Sequence, residues 1–164
     1  MLKTTPTTTP TPIVTLAEVI GDENVFVRLR ANDKSRLLQE LARRVGAVLG
    51  LPAAEIAAAL AAREALGSTG VGNGIAVPHA QLPQLPATAG FFAQLERPVD
   101  FAAIDGKPVD LIFLLLGPPQ ARAEHLALLA AGTRRLRERS IADALRGATS
   151  AASARALLVG ASGG

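Results

Sequence analysis

Residues 67–80 read GSTGVGNGIAVPHA, a glycine-rich run that ends beside a single ionisable side chain, His79. A neutral imidazole is a competent nucleophile toward phosphorus, and the N–P bond it forms lets the group be passed onward. Gly67, Gly70, Gly72 and Gly74 leave room for main-chain N–H groups to approach an anion closely. The chemistry on offer is phosphoryl transfer, which needs in-line positioning and donors for three equatorial oxygens. The candidate donors are the amides of Gly70, Gly72, Asn73 and Gly74 and the hydroxyls of Ser68 and Thr69. The spacing Gly70, Gly72, Gly74 is not G-x-G-x-x-G, and no Gly-Lys-Ser/Thr follows, so the dinucleotide and P-loop fingerprints are both excluded. Plainer readings of the same residues stand beside this one. Asn73-Gly74 is a common tight turn, Ser68 and Thr69 are ordinary loop residues, and a histidine after a strand can simply be packed or exposed.

The elements that must position His79 are legible around it. Residues 25–29 alternate as a strand and lead into Asn32-Asp33, a helix-start signal. From Lys34, the positions Leu37, Leu41, Val45 and Val48, flanked by Leu38 and Ala42, trace one helical face that Gly50 stops. Pro52 suits the first turn of a second helix, which runs to Leu66 and ends at Gly67. Arg63 lies near its C-terminal end, a position that the helix dipole favours. If the chain is extended after the glycines, Ile75, Val77 and His79 share one face, and Pro78 marks a strand edge or end. Residues 89–95 read as a strand, and the continuous apolar run 109–116 as a central strand covered on both faces. Helices are predicted at 123–137 and 140–158, the second broken near Gly147. His125, the other histidine, falls near the start of the first of these, after Pro118-Pro119. The interleaving predicts an α/β fold, a mixed β-sheet flanked by helices on both faces.

Composition narrows the function classes. The chain of 164 residues, 49% apolar, suits one domain with an ordinary core, expected at residues 13–159 between a disordered Thr/Pro-rich segment at 1–12 and a flexible tail at 160–164. With no cysteine and two histidines, neither a disulfide framework nor an ordinary metal site is expected, and no cofactor is called for. Residues 1–12 lack the apolar stretch of a secretory signal, and the run 111–116 is too short to span a bilayer, so membrane insertion is not expected and a cytoplasmic location is. The net charge is +3 with arginines clustered at 134, 135, 137 and 139, but that cluster ends a predicted helix, where cations meet the negative end of the dipole. With five Phe and no Trp or Tyr, there is little from which to build base-stacking platforms, and nucleic acid is not an expected partner.

The string GNGIAVPH, with REALGSTGV before it, PVDFAAIDGKPVDLIFLLL at 98–116 and Glu124-His125-Leu126 opening a later helix, resembles the enzyme IIA proteins of the bacterial phosphoenolpyruvate-dependent phosphotransferase system. The resemblance is to the fructose/mannitol type, most of all to its nitrogen-regulatory branch, and runs from about Leu16 to Leu158. It implies the same mixed α/β fold and a phosphoryl group carried on His79. It also implies that His125 lies beside the active histidine and that Arg63 supplies a guanidinium for the phosphoryl oxygens. The implied donor is a histidine-containing phosphocarrier protein. The implied targets are a IIB domain, a transporter or a sensor kinase, reached in service of either nitrogen regulation or sugar uptake. No fused membrane or IIB-type domain is expected, which leans toward the regulatory branch, although free-standing sugar-specific IIA proteins also exist in the family.

Overall fold

The computed structural model describes residues 14–160; the Thr/Pro-rich segment expected at 1–12 and residues 161–164 of the expected tail lie outside the described residues. Among the described residues six strands form one mixed sheet: β1 (Val25–Leu29), β2 (Gly70–Gly72), β3 (Ile75–Ala76), β4 (His79–Gln81), β5 (Ala89–Val99) and β6 (Val109–Gly117). The order is β1-β5-β6-β3-β2, with β4 also pairing β6. β5 and β6 run antiparallel, while β1 lies parallel to β5, and β3 and β4 lie parallel to β6. The mixed α/β sheet expected from the sequence is therefore the one that forms.

β6 is the axis of the molecule. Its apolar run sends Ile112, Leu114 and Leu116 to one core and Leu111, Phe113 and Leu115 to the other, so both faces must be covered. On the first face lie α2 (Lys34–Leu49) and α3 (Ala53–Ala65), which bury Leu37, Leu41, Val45, Ile56 and Leu60. The Asp33 side chain caps α2 by accepting from the Arg36 amide at 2.8 Å, and Gly50 ends it in the left-handed conformation at φ 70°. On the second face lie α1 (Leu16–Val19), α4 (Arg122–Arg137), α5 (Arg139–Arg146) and α6 (Ala151–Val159). They contribute Val19, Leu128, Leu136, Ala142, Leu145 and Leu158 to the second core. The predicted break near Gly147 is the gap between α5 and α6, where Gln94, buried in β5, donates to the carbonyls of Leu145 at 2.7 Å and Ala148 at 2.8 Å. β5 runs past the expected end at Leu95, because Val99 pairs with Val109 after an irregularity in register.

Two features of this frame set the position of His79. The strand beside β6 is interrupted at Val77-Pro78, splitting it into β3 and β4, and the Leu115 amide bridges the gap by donating to the Pro78 carbonyl at 3.1 Å. α4 meanwhile lies close against β6 because Gly132 faces the ring of Phe113, where an added Cβ would sit 2.3 Å from a ring carbon. A helical Gly→Ala change gains up to ~1 kcal/mol in propensity. Overpacking of a fully buried ring costs ~1–3 kcal/mol. The steric term wins: Gly132→Ala is expected to lower stability by about 1–2 kcal/mol in urea unfolding. An unchanged or raised midpoint would show that α4 tolerates a wider spacing from β6.

Candidate functional site

The interrupted strand, the end of α3 and the start of α4 bring three predicted residues together. His79 opens β4, half-buried, opposite Leu115. Its Nδ1 lies 2.9 Å from the carbonyl of Val77, two residues earlier, and its Nε2 lies 3.3 Å from Arg63 Nε in the last turn of α3. A carbonyl only accepts, so Nδ1 carries the proton and donates to Val77, and Nε2 keeps the lone pair that Arg63 Nε–H addresses. Arg63 is itself held by donating from Nη1 to the Gly67 carbonyl at 2.9 Å. From the opposite face, His125 in the first turn of α4 brings its ring to 5.7 Å from that of His79, centre to centre, inclined by 60°. The expected sharing of one face by Ile75, Val77 and His79 holds: Ile75 and Val77 enter the core beneath α4, and His79 turns toward α4's His125.

These residues line an open pocket of about 370 Å³ together with Leu66, Ala80 and Gln81. Gln81 was not singled out from the sequence, although strand alternation puts it on the same face as His79, two residues on. His125 is buried, and its pKa lies below the ordinary histidine range, chiefly because burial disfavours the charged ring and further because His79 is near. It therefore enters the site as a neutral imidazole.

The other predicted phosphate ligands are placed differently. Asn73 and Gly74, at φ 58° and 80°, form the tight turn between β2 and β3, so the plainer reading of Asn-Gly is the one realised. The Asn73 amide donates to Asp105 at 3.0 Å, and Arg146 donates to the Asn73 carbonyl at 2.8 Å. Along β6, Ile75 stands opposite Leu111 and His79 opposite Leu115, so the Gly72–Gly74 turn lies roughly 13 Å from the histidine by strand rise. The expectation that Gly72, Asn73 and Gly74 cradle an anion on His79 is corrected by this register. Gly70 and Ser68 are engaged elsewhere: the Gly70 amide donates to Ser68 Oγ, and Ser68 Oγ donates to the Phe101 carbonyl at 2.8 Å. Thr69 is clamped through both its amide and its hydroxyl to the Glu64 carboxylate.

Glu64 is the residue whose part the sequence did not reveal. Its side chain is almost fully buried, bonds Thr69, and pairs with Lys34 Nζ at 2.9 Å, while that ammonium stands 4.4 Å over the Phe101 ring. This buried carboxylate ties the end of α3, which carries Arg63, to the loop that leads into β2. The signal available was its place next to Arg63, one residue round the helix and therefore turned to the core.

Residues 18–160 match the family described as "Phosphoenolpyruvate-dependent sugar phosphotransferase system, EIIA 2". The chain belongs to this family. Among the family's curated proteins, it is 44% identical over 131 residues to the nitrogen regulatory protein of Bradyrhizobium diazoefficiens, covering 80% of this chain and 86% of that protein. It is 40% identical over 136 residues to that of Escherichia coli, covering 82% and 83%. Among solved EIIA structures, nitrogen regulatory protein IIA-Ntr from Neisseria meningitidis superposes with a TM-score of 0.81 at 36% identity, covering 86% of this chain and 97% of that one. Mannitol IIA from Escherichia coli shares the fold, with a TM-score of 0.71 at 23% identity, covering 85% and 98%. No helix among the described residues of this EIIA chain is long and apolar enough to cross a membrane.

The burial of His125 makes stability depend on pH. In the folded protein its pKa is depressed, so below the ordinary value of about 6.5 the unfolded chain takes up a proton that the folded chain resists. Stability is thus expected to fall as pH drops from about 6.5, and His125→Gln should remove that component. Urea midpoints followed from neutral to mildly acidic pH check this; equal slopes in the two proteins would contradict it.

Proposed function

We propose that this EIIA protein is a phosphotransferase that accepts a phosphoryl group on Nε2 of His79 from a phosphohistidine carrier protein in the cytoplasm. Its proposed role is nitrogen and metabolic regulation, exerted through protein binding that depends on phosphorylation. The observation that carries the reading is the convergence of a tautomer-fixed imidazole, a guanidinium and a second, neutral imidazole on one open pocket.

The reaction follows from that geometry. The P–N bond to the donor's histidine breaks as the lone pair on His79 Nε2 bonds to phosphorus, with nucleophile and leaving nitrogen in line. The ring gains positive charge in doing so. The Val77 carbonyl, which already accepts from Nδ1–H, stabilises that charge where it develops. Arg63 gives up Nε2 to the incoming phosphorus and turns its N–H groups to the equatorial oxygens, for which a guanidinium fork is well shaped. His125, neutral and facing His79, supplies a further hydrogen bond to an oxygen without needing to be charged. Thr69 serves the site through Glu64, which ties the end of α3 carrying Arg63 to the loop before β2.

The phosphorylated site carries up to two added negative charges beside Leu66, 85% exposed, and Leu126, 54% exposed. A partner whose apolar surface covers these leucines must desolvate the phosphoryl group or meet a neutral ring, which separates the two states by binding. The regulatory role is favoured over delivery to a IIB domain by the relatives. The nitrogen regulatory proteins align over 80% or more of this chain, while the fructose-specific EIIA component of Haloferax volcanii aligns over 53%.

Incubation with phosphoenolpyruvate, enzyme I and a carrier protein should add one phosphoryl group per chain, stable in alkali and labile in acid, and His79→Ala should abolish it. Arg63→Ala and His125→Ala should slow transfer by ~10- to 1000-fold while leaving the acceptor in place. Full labelling of His79→Ala would overturn the assignment. Rapid loss of the label to a IIB domain in the presence of sugar would replace regulation with sugar uptake.

A further inference from the structure

Two buried polar atoms behind the pocket, Thr88 Oγ1 and His125 Nδ1, have no hydrogen-bond partner among the described residues. Both residues are more than nine-tenths buried, so each orphaned atom carries a desolvation cost that folding does not offset. The two atoms face the same point. A Cβ added to Gly117, the last residue of β6, would lie 2.9 Å from Thr88 Oγ1 and 3.3 Å from His125 Nδ1. Glycine at this position leaves the space bordered by the hydroxyl and the ring nitrogen free of a side chain. Thr88 is held by its neighbour: Ala89, the first residue of β5, pairs with Leu116. His125 is fixed by α4 and offers its ring to the His79 pocket. With Nδ1 turned inward, Nε2 is the nitrogen left to serve that pocket.

We propose that Thr88 is a positioning residue for phosphoryl transfer: its hydroxyl donates to His125 Nδ1 and thereby keeps the His125 proton on Nε2, aimed at the phosphoryl oxygen on His79. Catalytic hydrogen bonds are often long or poorly aligned in a structure without substrate, and the hydroxyl beside Nδ1 biases the tautomer of the ring before phosphorylation as well as after it. No proton changes owner in the step. Oγ1 keeps its hydrogen while donating it, Nδ1 accepts through its lone pair, and Nε2–H donates to an oxygen. The alternative tautomer, with the proton on Nδ1, would present a lone pair to a negatively charged oxygen and repel it. Thr88 acts only through His125 and touches neither reacting nitrogen. The proposal rests on His79 being the acceptor for its catalytic consequence, but its structural content stands alone.

The test compares Thr88→Val with Thr88→Ser in the full chain, with ¹⁵N-labelled histidine and ring shifts recorded before and after phosphorylation. In the wild type and in Thr88→Ser, His125 should show Nε2 protonated and Nδ1 unprotonated. In Thr88→Val it should shift toward the Nδ1–H form or a mixture. Phosphoryl transfer in Thr88→Val should fall by ~10- to 100-fold with the apparent affinity for the carrier unchanged, and Thr88→Ser should restore it. Valine matches threonine in shape and removes only the hydroxyl, so a role in packing alone would move neither the tautomer nor the rate. The proposal is overturned if wild-type His125 carries its proton on Nδ1, or if Thr88→Val keeps the wild-type tautomer. Because the shifts are read without any transfer, a protein that never becomes phosphorylated on His79 but shows the tautomer switch would refute the proposed function and leave this inference standing. If Thr88→Val does not fold, Thr88→Ala supplies the hydroxyl-free protein for the same comparison of shifts.

Discussion

The arrangement of this protein turns on one hydrogen bond, from Nδ1 of His79 to the carbonyl of Val77. A histidine in a regular strand points away from the strand's own backbone and could not reach the carbonyl two residues earlier. It does so here because the strand breaks at Val77-Pro78, where proline has no N–H to give to the ladder and the chain kinks before pairing resumes at β4. The bond settles which ring nitrogen is free. Once Nδ1 is committed to a carbonyl, Nε2 alone has a lone pair, and it faces the Arg63 guanidinium.

Everything else maintains that geometry from two sides of the sheet. On one side Glu64, buried and shared between Lys34 and Thr69, fixes the end of α3 and with it the guanidinium. A buried ion pair of this kind contributes little net stability over an apolar pair, but breaking it leaves an uncompensated charge, so it enforces one arrangement. On the other side the contact between Gly132 and Phe113 seats α4 and delivers His125. The two helices approach the edge of the sheet from opposite faces, which is how side chains far apart in sequence come to line one pocket.

The fold was largely legible because its strongest signals are local. The apolar run of β6 demanded cover on both faces, and the helical stripe from Leu37 to Val45 announced the layer that provides half of it. The site was legible in part. His79 stood out by its context, whereas the placement of Arg63 and His125 beside it came from resemblance alone, since nothing in spacing joins residues contributed by three separate elements. The glycines misled: a run suited to cradling an anion is equally suited to a tight hairpin, and only the register of β3 on β6 carries Asn73-Gly74 away from the histidine. Glu64, Gln81 and Thr88 are ordinary residue types whose parts depend on what the fold sets opposite them.

The central claim is tested most directly by locating the phosphoryl group within the ring. After phosphorylation of ¹⁵N-histidine-labelled protein, the ¹⁵N–³¹P couplings should assign phosphorus to Nε2 of His79 and show Nδ1 still protonated. Phosphorus on Nδ1 of His79 would contradict the account, because the bond to Val77 could not then exist in the loaded protein.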